Sequence, residues 1–312
     1  MRILFAGSPL IAVPALEAIS REGFELAGVL TNPDSPKGRS GRAEPTEVCI
    51  AAQKISALSA IPILKPEKLN SAARESIAAL KPDLLVSFAY GKIFGPKFLA
   101  LFPMGGINIH PSLLPKYRGP TPIQAAILNR DCETGISIQK LAQEMDSGDI
   151  LVQESIALSG TETSGSLGEI MAQKAAELLP PLLEKIREGR AKAITQNHSE
   201  ASYCSLATSE DGLINWNKSA AETEARIRAF NPWPLCWTLH GGIRLFILKA
   251  DAMEAAAGTP GMVLGIDKKL GILIQTGEGI LAVKELQYQA RKALGWKDFM
   301  NGARDFTGSL LG

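Results

Sequence analysis

Short apolar runs alternate with amphipathic segments through the first half of the chain. Apolar runs of this kind predict buried strands, and the 3.6-residue period of the intervening segments predicts helices. Strands are predicted at residues 2–6, 25–30, 61–64, 83–88, 106–110 and 135–141, and helices at 11–21, 45–58 and 71–80. This alternation is typical of a Rossmann-like α/β fold with a doubly wound, mostly parallel sheet, in which ligands bind beyond the carboxyl ends of the strands.

The second half of the chain shows a different pattern. A helix is predicted at 163–188, where Pro180-Pro181 should break or kink it, and a polar stretch without a clear period follows. After another short helix at 222–230, strands lie between glycine-containing turns at 244–249, 261–266, 271–276 and 279–286, which indicates a small β-barrel. We therefore predict a Rossmann-like catalytic domain at 1–189, a linker at 190–206 and a barrel domain at 207–312.

Composition narrows the class of protein. The chain has 312 residues, of which 46% are hydrophobic, and this allows two cores. A formal net charge of +1 predicts no bulk attraction to nucleic acid or membrane, so any polyanion must meet local patches. No apolar run approaches the roughly 20 residues of a membrane span. With no signal peptide and no C-x-x-C pair, we expect reduced thiols in a cytoplasm. The three histidines lack ligand spacing, so we expect no metal.

The run GINIHPSLLPKYRGPTPIQ at 106–124 carries the candidate chemistry. Its alternation places Asn108 and His110 on one face of a strand, and Asp146 follows in EMDSGDI. An amide can donate to a developing oxyanion while an imidazole carries protons. A carboxylate can fix the imidazole tautomer and favour its charged form. The trio therefore suits attack on an acyl group, although an isolated N-x-H is more often a polar strand end.

These motifs resemble those of the folate-dependent formyltransferases, which take a formyl group from 10-formyltetrahydrofolate. The resemblance rests on INIHPSLLPKYRG and MDSGDI, and it implies that the catalytic trio is Asn108, His110 and Asp146. It also implies that the folate lies along Ser112, Leu113, Leu114 and Pro115. The pterin pocket would be bordered by the backbone of Phe88, Ala89, Tyr90 and Gly91. Family members often have Gly directly after the His, whereas this chain has Pro111, as some members do.

The resemblance covers essentially the whole chain. RAFNPWP at 228–234 is typical of two-domain members, whose second domain is a barrel of the oligonucleotide-binding (OB) type. Members that formylate methionyl initiator tRNA have this pair of domains and an inserted loop after the second strand. The matching loop at 31–42 carries Lys37, Arg39 and Arg42, which could follow a phosphate backbone. By resemblance Arg39 is the loop arginine that matters for the tRNA, although a solvated surface loop is the alternative.

The activity implied is transfer of a formyl group from 10-formyltetrahydrofolate to the α-amino group of methionyl initiator tRNA for translation initiation. We expect a monomeric cytoplasmic enzyme that releases tetrahydrofolate and uses no metal. Two alternatives share the trio, namely a formyltransferase acting on an amino-sugar nucleotide and a formyltetrahydrofolate hydrolase. A folate- or RNA-binding module without turnover is a third, but binding alone does not need the trio. Whether the barrel contacts RNA stays open, because residues 205–312 are not strongly basic.

Overall fold

The computed structural model describes residues 1–36, 41–256, 258–303 and 305–312, which group into two compact units. The first unit comprises Met1–Pro122, Glu133–Ala157 and Gly168–Cys204, and the second comprises Ile123–Cys132, Leu158–Leu167 and Ser205–Gly312. The grouping differs from the sequence-based boundaries in two respects. Residues 190–204, predicted as a linker, contact the first unit, and two segments from earlier in the chain belong to the second.

A seven-stranded sheet forms the centre of the first unit. Its strand order is β5-β2-β1-β6-β7-β8-β9, parallel from β5 to β7 and antiparallel beyond, and β3 and β4 pair separately. All six strands predicted for this half are present, whereas β3, β4 and β9 were not predicted. The strands are β1 (Arg2–Gly7), β2 (Glu25–Leu30), β3 (Ser35–Pro36), β4 (Ala43–Glu44), β5 (Ile63–Leu64), β6 (Leu84–Phe88), β7 (Gly106–His110), β8 (Glu133–Lys140) and β9 (Ile150–Ala157).

Two helices of this part of the chain, which begin at Glu47 and Ser71, follow residues whose side chains accept from free backbone N–H groups. Thr46 Oγ1 accepts from Cys49 N at 3.1 Å, and Asn70 Oδ1 accepts from Ala73 N at 3.1 Å. The last helix continues through Pro180-Pro181, where the sequence predicts a break or kink. The helices are α1 (Val13–Arg21), α2 (Glu47–Ser59), α3 (Ser71–Ala79), α4 (Pro96–Leu99), α5 (Pro122–Leu128) and α6 (Ser164–Arg187).

Continuous burial explains why the central strands read as unbroken apolar runs. Every side chain from Ile3 to Ala6 and along β6 is buried, as expected for parallel strands covered on both faces. An aromatic row extends this core on one side, with ring centroids 5.5 Å apart for Tyr90–Phe94 and 5.1 Å for Phe94–Phe98. The carboxyl ends of β1, β6 and β7 thus lie side by side in that order at one edge of the sheet.

The second unit is an antiparallel sheet of order β10-β11-β14-β13-β12, with β15 paired to β14. Residues 308–312 bridge its two edge strands, because Val263 N donates to Ser309 O at 2.9 Å and Gly312 N donates to Leu239 O at 3.1 Å. A Rossmann-like domain followed by an antiparallel β domain is thus confirmed. The elements are α7 (Ala220–Ala229), β10 (Cys236–His240), β11 (Ile243–Met253), β12 (Val263–Asp267), β13 (Gly271–Gln275), β14 (Ile280–Tyr288), β15 (Leu294–Gly295) and α8 (Trp296–Gly302).

Two kinds of feature are absent from the described residues. None of the helices they form is long and apolar enough to cross a membrane. Within the same residues, no group of three or more His, Cys, Asp or Glu side chains could hold a metal ion.

Candidate active site

Strand β7 presents two of the three predicted catalytic side chains at its carboxyl end. It lies between β6 and β8, where Asn108 pairs with Ser87 on one side and Gln139 on the other. The alternation of a strand puts Asn108 and His110 on one face and the buried Ile109 on the opposite face. His110 is only 4% exposed, so its ring is held in place by its surroundings.

Asp146 completes the predicted trio from the loop between β8 and β9. Its carboxylate accepts from Gly119 N at 2.9 Å, from Gln139 Nε2 at 2.9 Å and from Asn108 Nδ2 at 3.3 Å. Its Oδ2 also lies 3.5 Å from His110 Nδ1. The structure therefore brings the three predicted residues together, and their catalytic roles remain a prediction.

The surroundings of His110 favour a neutral imidazole. Burial is the largest influence and lowers the pKa of His110 from its ordinary value of 6.5, although the Asp146 charge and the Tyr117 carbonyl act to raise it. His110 Nε2 lies 2.9 Å from Tyr117 O, and a carbonyl only accepts, so the proton sits on Nε2. Nδ1 is then unprotonated and lies 3.5 Å from Asp146 Oδ2, so these two acceptors can hydrogen-bond only when the pair takes up a proton. The sequence-based expectation of a charged imidazole is thus opposed by desolvation.

The predicted folate-binding segment after β7 divides into inward and outward residues. Ser112 and Leu114 are buried, whereas Leu113 and Pro115 are partly exposed. Ser137 Oγ holds this turn to β8, because it donates to Ser112 O at 2.6 Å and accepts from Leu114 N at 3.1 Å. Leu113 and Pro115 are therefore the members of the segment that can contact a ligand, and Ser112 and Leu114 shape the turn.

The segment after β6 shows the same division. Phe88 and Tyr90 are buried, while Ala89 and Gly91 are exposed and adopt positive φ angles of 50° and 80°. The Tyr90 carbonyl accepts from Asn32 Nδ2 at 3.0 Å. Burial raises the pKa of the Tyr90 hydroxyl to about 12, and this hydroxyl has no hydrogen-bond partner among the described residues. The exposed backbone at Ala89 and Gly91 lies directly beyond a strand that neighbours β7.

The predicted tRNA-binding loop is only partly described. Lys37 and Arg39 lie outside the described residues, and Arg42 is exposed. Strands β3 and β4 pair antiparallel on either side of residues 37–42. Asp34, just before β3, forms an ion pair with Lys65 at 2.6 Å.

Several residues around the trio were not predicted. Gln139 donates to Asp146. The sequence feature that could have identified it is a polar residue at a buried position of the strand that pairs with Asn108. Tyr117 and Gly119 act through backbone atoms, and a Cβ on Gly119 would overlap the carbonyl oxygen of Cys204. Gln196, from the predicted linker, donates to the Asp146 carbonyl at 2.9 Å. No local sequence pattern predicts a role for Gln196, because Asp146, which it contacts, lies fifty residues away in sequence.

Comparison with known families agrees with this arrangement. A family model described as formyl transferase matches residues 1–183, and one described as formyl transferase, C-terminal domain, matches residues 207–304. Together these models cover most of the chain, including both the parallel sheet and the antiparallel sheet. The chain belongs to the formyl transferase family.

Individual relatives make this more specific. A protein of Treponema denticola is 51% identical over 316 residues, covering 98% of each chain, and one of Treponema pallidum (strain Nichols) is 43% identical, covering 97% of each. Both are named methionyl-tRNA formyltransferase.

Solved structures share the fold at low identity. HypX from Aquifex aeolicus, solved in complex with tetrahydrofolic acid, has a TM-score of 0.67 at 16% identity. That match covers 99% of this chain, which spans about half of HypX (48%). WlaRD, a sugar 3N-formyl transferase solved with dTDP and 5-N-formyl-THF, has a TM-score of 0.64 at 20% identity, covering 94% of this chain and 99% of WlaRD.

Proposed function

We propose that this enzyme transfers the formyl group of 10-formyltetrahydrofolate to the α-amino group of methionyl initiator tRNA. The observation that carries the proposal is identity of 51% over nearly the full length of a relative named methionyl-tRNA formyltransferase. The clustered amide, imidazole and carboxylate supply the groups that acyl transfer to an amine requires. The products are N-formylmethionyl-tRNA, for translation initiation, and tetrahydrofolate.

The chemical step uses the neutral state of His110. The amine attacks the formyl carbon, and the second N–H of Asn108 Nδ2 stabilises the oxyanion that develops. The attacking nitrogen loses a proton to the His110–Asp146 pair, in which that proton lies between His110 Nδ1 and Asp146 Oδ2, 3.5 Å apart. His110 then returns this proton to N10 as the bond between N10 and the formyl carbon breaks. Proton transfer and oxyanion stabilisation each contribute about 10²–10⁴ in rate.

The donor site is proposed at the two segments that follow β6 and β7. Ala89, Gly91, Leu113 and Pro115 have exposed surface on these segments, and they would contact the folate. Their inward neighbours would set the backbone in place, namely Phe88, Tyr90, Ser112 and Leu114. Peptide groups at such strand ends can donate to and accept from the edge of a pterin ring.

The acceptor can be identified by direct assay. Enzyme would be incubated with 10-formyltetrahydrofolate labelled in the formyl carbon and, separately, with methionyl initiator tRNA, an amino-sugar nucleotide or no acceptor. Label should enter the methionyl-tRNA alone. Label in the sugar nucleotide would favour a sugar N-formyltransferase, and free formate without acceptor would favour a formyltetrahydrofolate hydrolase.

The loop at 31–42 is proposed to contact the tRNA through Lys37, Arg39 and Arg42. Each cation that touches a phosphate releases counterions, so Arg39→Ala should flatten the dependence of log kcat/KM on log salt by about one unit. Folate KM should not change. Lys185→Ala, at an exposed position on α6, is a matched control for loss of one charge. An Arg39→Ala slope equal to that of wild type would remove the loop from the tRNA site.

We further propose that the enzyme works as a monomer in the cytoplasm, where initiator tRNA is charged. All four cysteines are free thiols, which suits a reducing compartment. Light scattering of the purified enzyme tests the oligomeric state, and fractionation of cells tests the compartment. A stable dimer or a membrane-bound fraction would contradict these points.

A further inference from the structure

We propose that Gln196 and Arg118 form a brace that holds Asp146 in its catalytic position. This proposal rests on the proposed function, because it assigns two positioning residues to that reaction. Gln196 lies between the regions matched by the two family models, which end at residue 183 and begin again at residue 207. The segment joining the two matched regions would then be part of the active centre.

The segment around Gln196 is anchored to the first sheet. Ile194 pairs with Ile150 at the start of β9, with both N–O distances 2.8 Å. Two residues further on, Gln196 is only 4% exposed, whereas its neighbours Thr195 and Asn197 lie at the surface. The pairing with β9 therefore turns one side chain of this polar segment inward.

The amide of Gln196 connects two loops that meet at the trio. Its Nε2 donates to Gly148 O at 2.6 Å and to Asp146 O at 2.9 Å, and it lies 3.2 Å from Gln139 Oε1. Its Oε1 accepts from Arg118 Nη2 at 2.7 Å. One side chain thus holds the backbone of the Asp146 loop on one side and the guanidinium of Arg118 on the other.

Arg118 is an unusual buried cation. It is 2% exposed, and within the described ranges no carboxylate forms an ion pair with it. Its acceptors come from the Gln196 segment, with His198 Nδ1 at 3.0 Å from Nη2 and Tyr203 Oη at 3.3 Å from Nη1. A buried charge is costly unless polar groups satisfy it, so the guanidinium ties this segment to residue 118.

The position of Arg118 in the chain explains why holding it matters. The residue before it, Tyr117, offers the carbonyl that accepts from His110 Nε2, and the residue after it, Gly119, donates its N–H to Asp146. Fixing the Arg118 side chain therefore fixes both backbone contacts of the catalytic pair.

Backbone geometry shows what the brace must maintain. Tyr117 and Asp146 have positive φ angles of 57° and 53°, a region that residues other than glycine rarely adopt. Such conformations persist where surrounding contacts over-determine them. Gln196 supplies contacts to both loops, and without them the Asp146 loop could relax away from His110. A displacement of roughly 1 Å at a reacting group can cost about 10²-fold in rate.

Gln196→Glu separates positioning from folding. The introduced carboxylate still accepts from Arg118 and forms an ion pair there, so the enzyme should fold, although the carbonyls left without a donor should lower its thermal midpoint. The carboxylate offers no N–H to the Asp146 and Gly148 carbonyls, so kcat should fall about 10²-fold, with KM for donor and tRNA changed less than about twofold. Gln173→Glu, on the exposed face of α6, is the matched control and should leave every parameter unchanged.

A second variant guards against failure of the first to fold. His198→Ala removes one acceptor of Arg118 at an exposed position, so it should fold and lower kcat several-fold with unchanged KM values. Wild-type kcat in a folded Gln196→Glu enzyme would overturn the brace. A rise in KM as large as the fall in kcat would also overturn it. If Gln196→Glu does not fold, wild-type kcat in His198→Ala overturns it. His110→Ala, assayed in parallel, separates the two proposals, because its full activity would instead overturn the assigned reaction centre.

Discussion

Buried polar side chains are organised differently in the two units. In the first unit they gather around one carboxylate, where Gln139 and Asn108 donate to Asp146 and Gln196 supports its loop. In the second unit the buried polar side chains form separate hydrogen bonds with nearby groups. Gln275 Nε2 donates to the carbonyls of a turn at 3.1 Å, and Thr238 Oγ1 accepts from the Trp216 indole at 3.0 Å.

The two arrangements carry different energetic consequences. A hydrogen-bonded polar side chain contributes modestly to stability, whereas a buried partner left unsatisfied costs about 1–3 kcal/mol. The second unit has a core of aliphatic and aromatic side chains, including Ile274, Leu281 and Phe306, which is stabilised by apolar burial. We therefore expect substitutions among the polar side chains around Asp146 to lower the reaction rate. Substitutions in the apolar core of the second unit should instead lower stability.

The largest expected effect follows from removing His110 or Asp146, the pair proposed to carry out proton transfer. His110→Ala and Asp146→Ala should each lower kcat by about 10²–10⁴, because proton transfer is lost, while donor KM changes little. The double variant should lose less than the product of the single losses, since the residues act as a unit. Steady-state kinetics with saturating donor and methionyl-tRNA provide the measurement. Near wild-type kcat in either single variant would remove that residue from the chemical step.

The converse test lies in the second core. Leu281→Ala should lower the free energy of unfolding by about 2–5 kcal/mol, because a fully buried side chain is replaced by a cavity. Below the unfolding transition kcat should match wild type. Leu264→Ala, on the same sheet but 47% exposed, is the control and should change stability by less than about 0.5 kcal/mol. Urea unfolding measures the free energy of unfolding of both variants. A lower kcat in folded Leu281→Ala would contradict the expectation that this core affects stability alone.

A smaller effect is expected at the start of α7. Ser219 Oγ accepts from Glu222 N at 3.2 Å, and Glu222 Oε2 accepts from Ser219 N at 3.1 Å, which forms a capping box. The Ser219 N–H and hydroxyl, which donate to the Glu222 carboxylate, and the neighbouring Lys218 lower the pKa of Glu222 to about 2. Ser219→Ala should therefore cost about 1 kcal/mol of stability and leave activity unchanged. The measurement is thermal unfolding of Ser219→Ala and of Ser219→Asp, which restores a capping side chain. Equal midpoints for the two variants would contradict a stabilising role of the cap.

The smallest effect concerns pH. Burial lowers the pKa of His110 below 6.5 in the folded enzyme, so between that lower pKa and 6.5 the unfolded chain binds more protons than the folded one. The free energy of unfolding should consequently rise with pH across this interval and fall on acidification. Urea unfolding of wild type and His110→Gln at a series of pH values measures it. The variant should show a shallower slope, and identical slopes would mean that His110 is not desolvated.

The sequence predicted what is encoded by local patterns. Alternation alone predicts strand β7 with Asn108 and His110 on one face. The family motifs predict Asp146 as the third member, and the structure places it beside His110. Strand β9 was missed because three consecutive polar residues, Gln153, Glu154 and Ser155, interrupt its apolar positions. The Rossmann-like fold, the antiparallel second domain and the family are confirmed, while the roles assigned to individual site residues stay predictions.

What the sequence could not supply depends on packing between distant segments. Gln196 stands in a polar stretch without a period, and only the pairing of Ile194 with β9 turns it inward. The same holds for the charge of His110, which depends on its burial. Motifs likewise could not reveal that Ser112 and Leu114 are buried while Leu113 is partly exposed, because the contacts of Ser137 on β8 hold this turn in place.

The backbone at Gly119 limits how this enzyme can diverge. Its φ of 119°, its N–H bond to Asp146 and the nearby Cys204 carbonyl leave no room for a side chain. Gly168, on α6, has no neighbour within 4 Å of a would-be Cβ. In a saturation library selected for formylation, position 119 should therefore tolerate no replacement, while position 168 should accept many. Any divergent sequence with this backbone would therefore have to keep glycine at position 119.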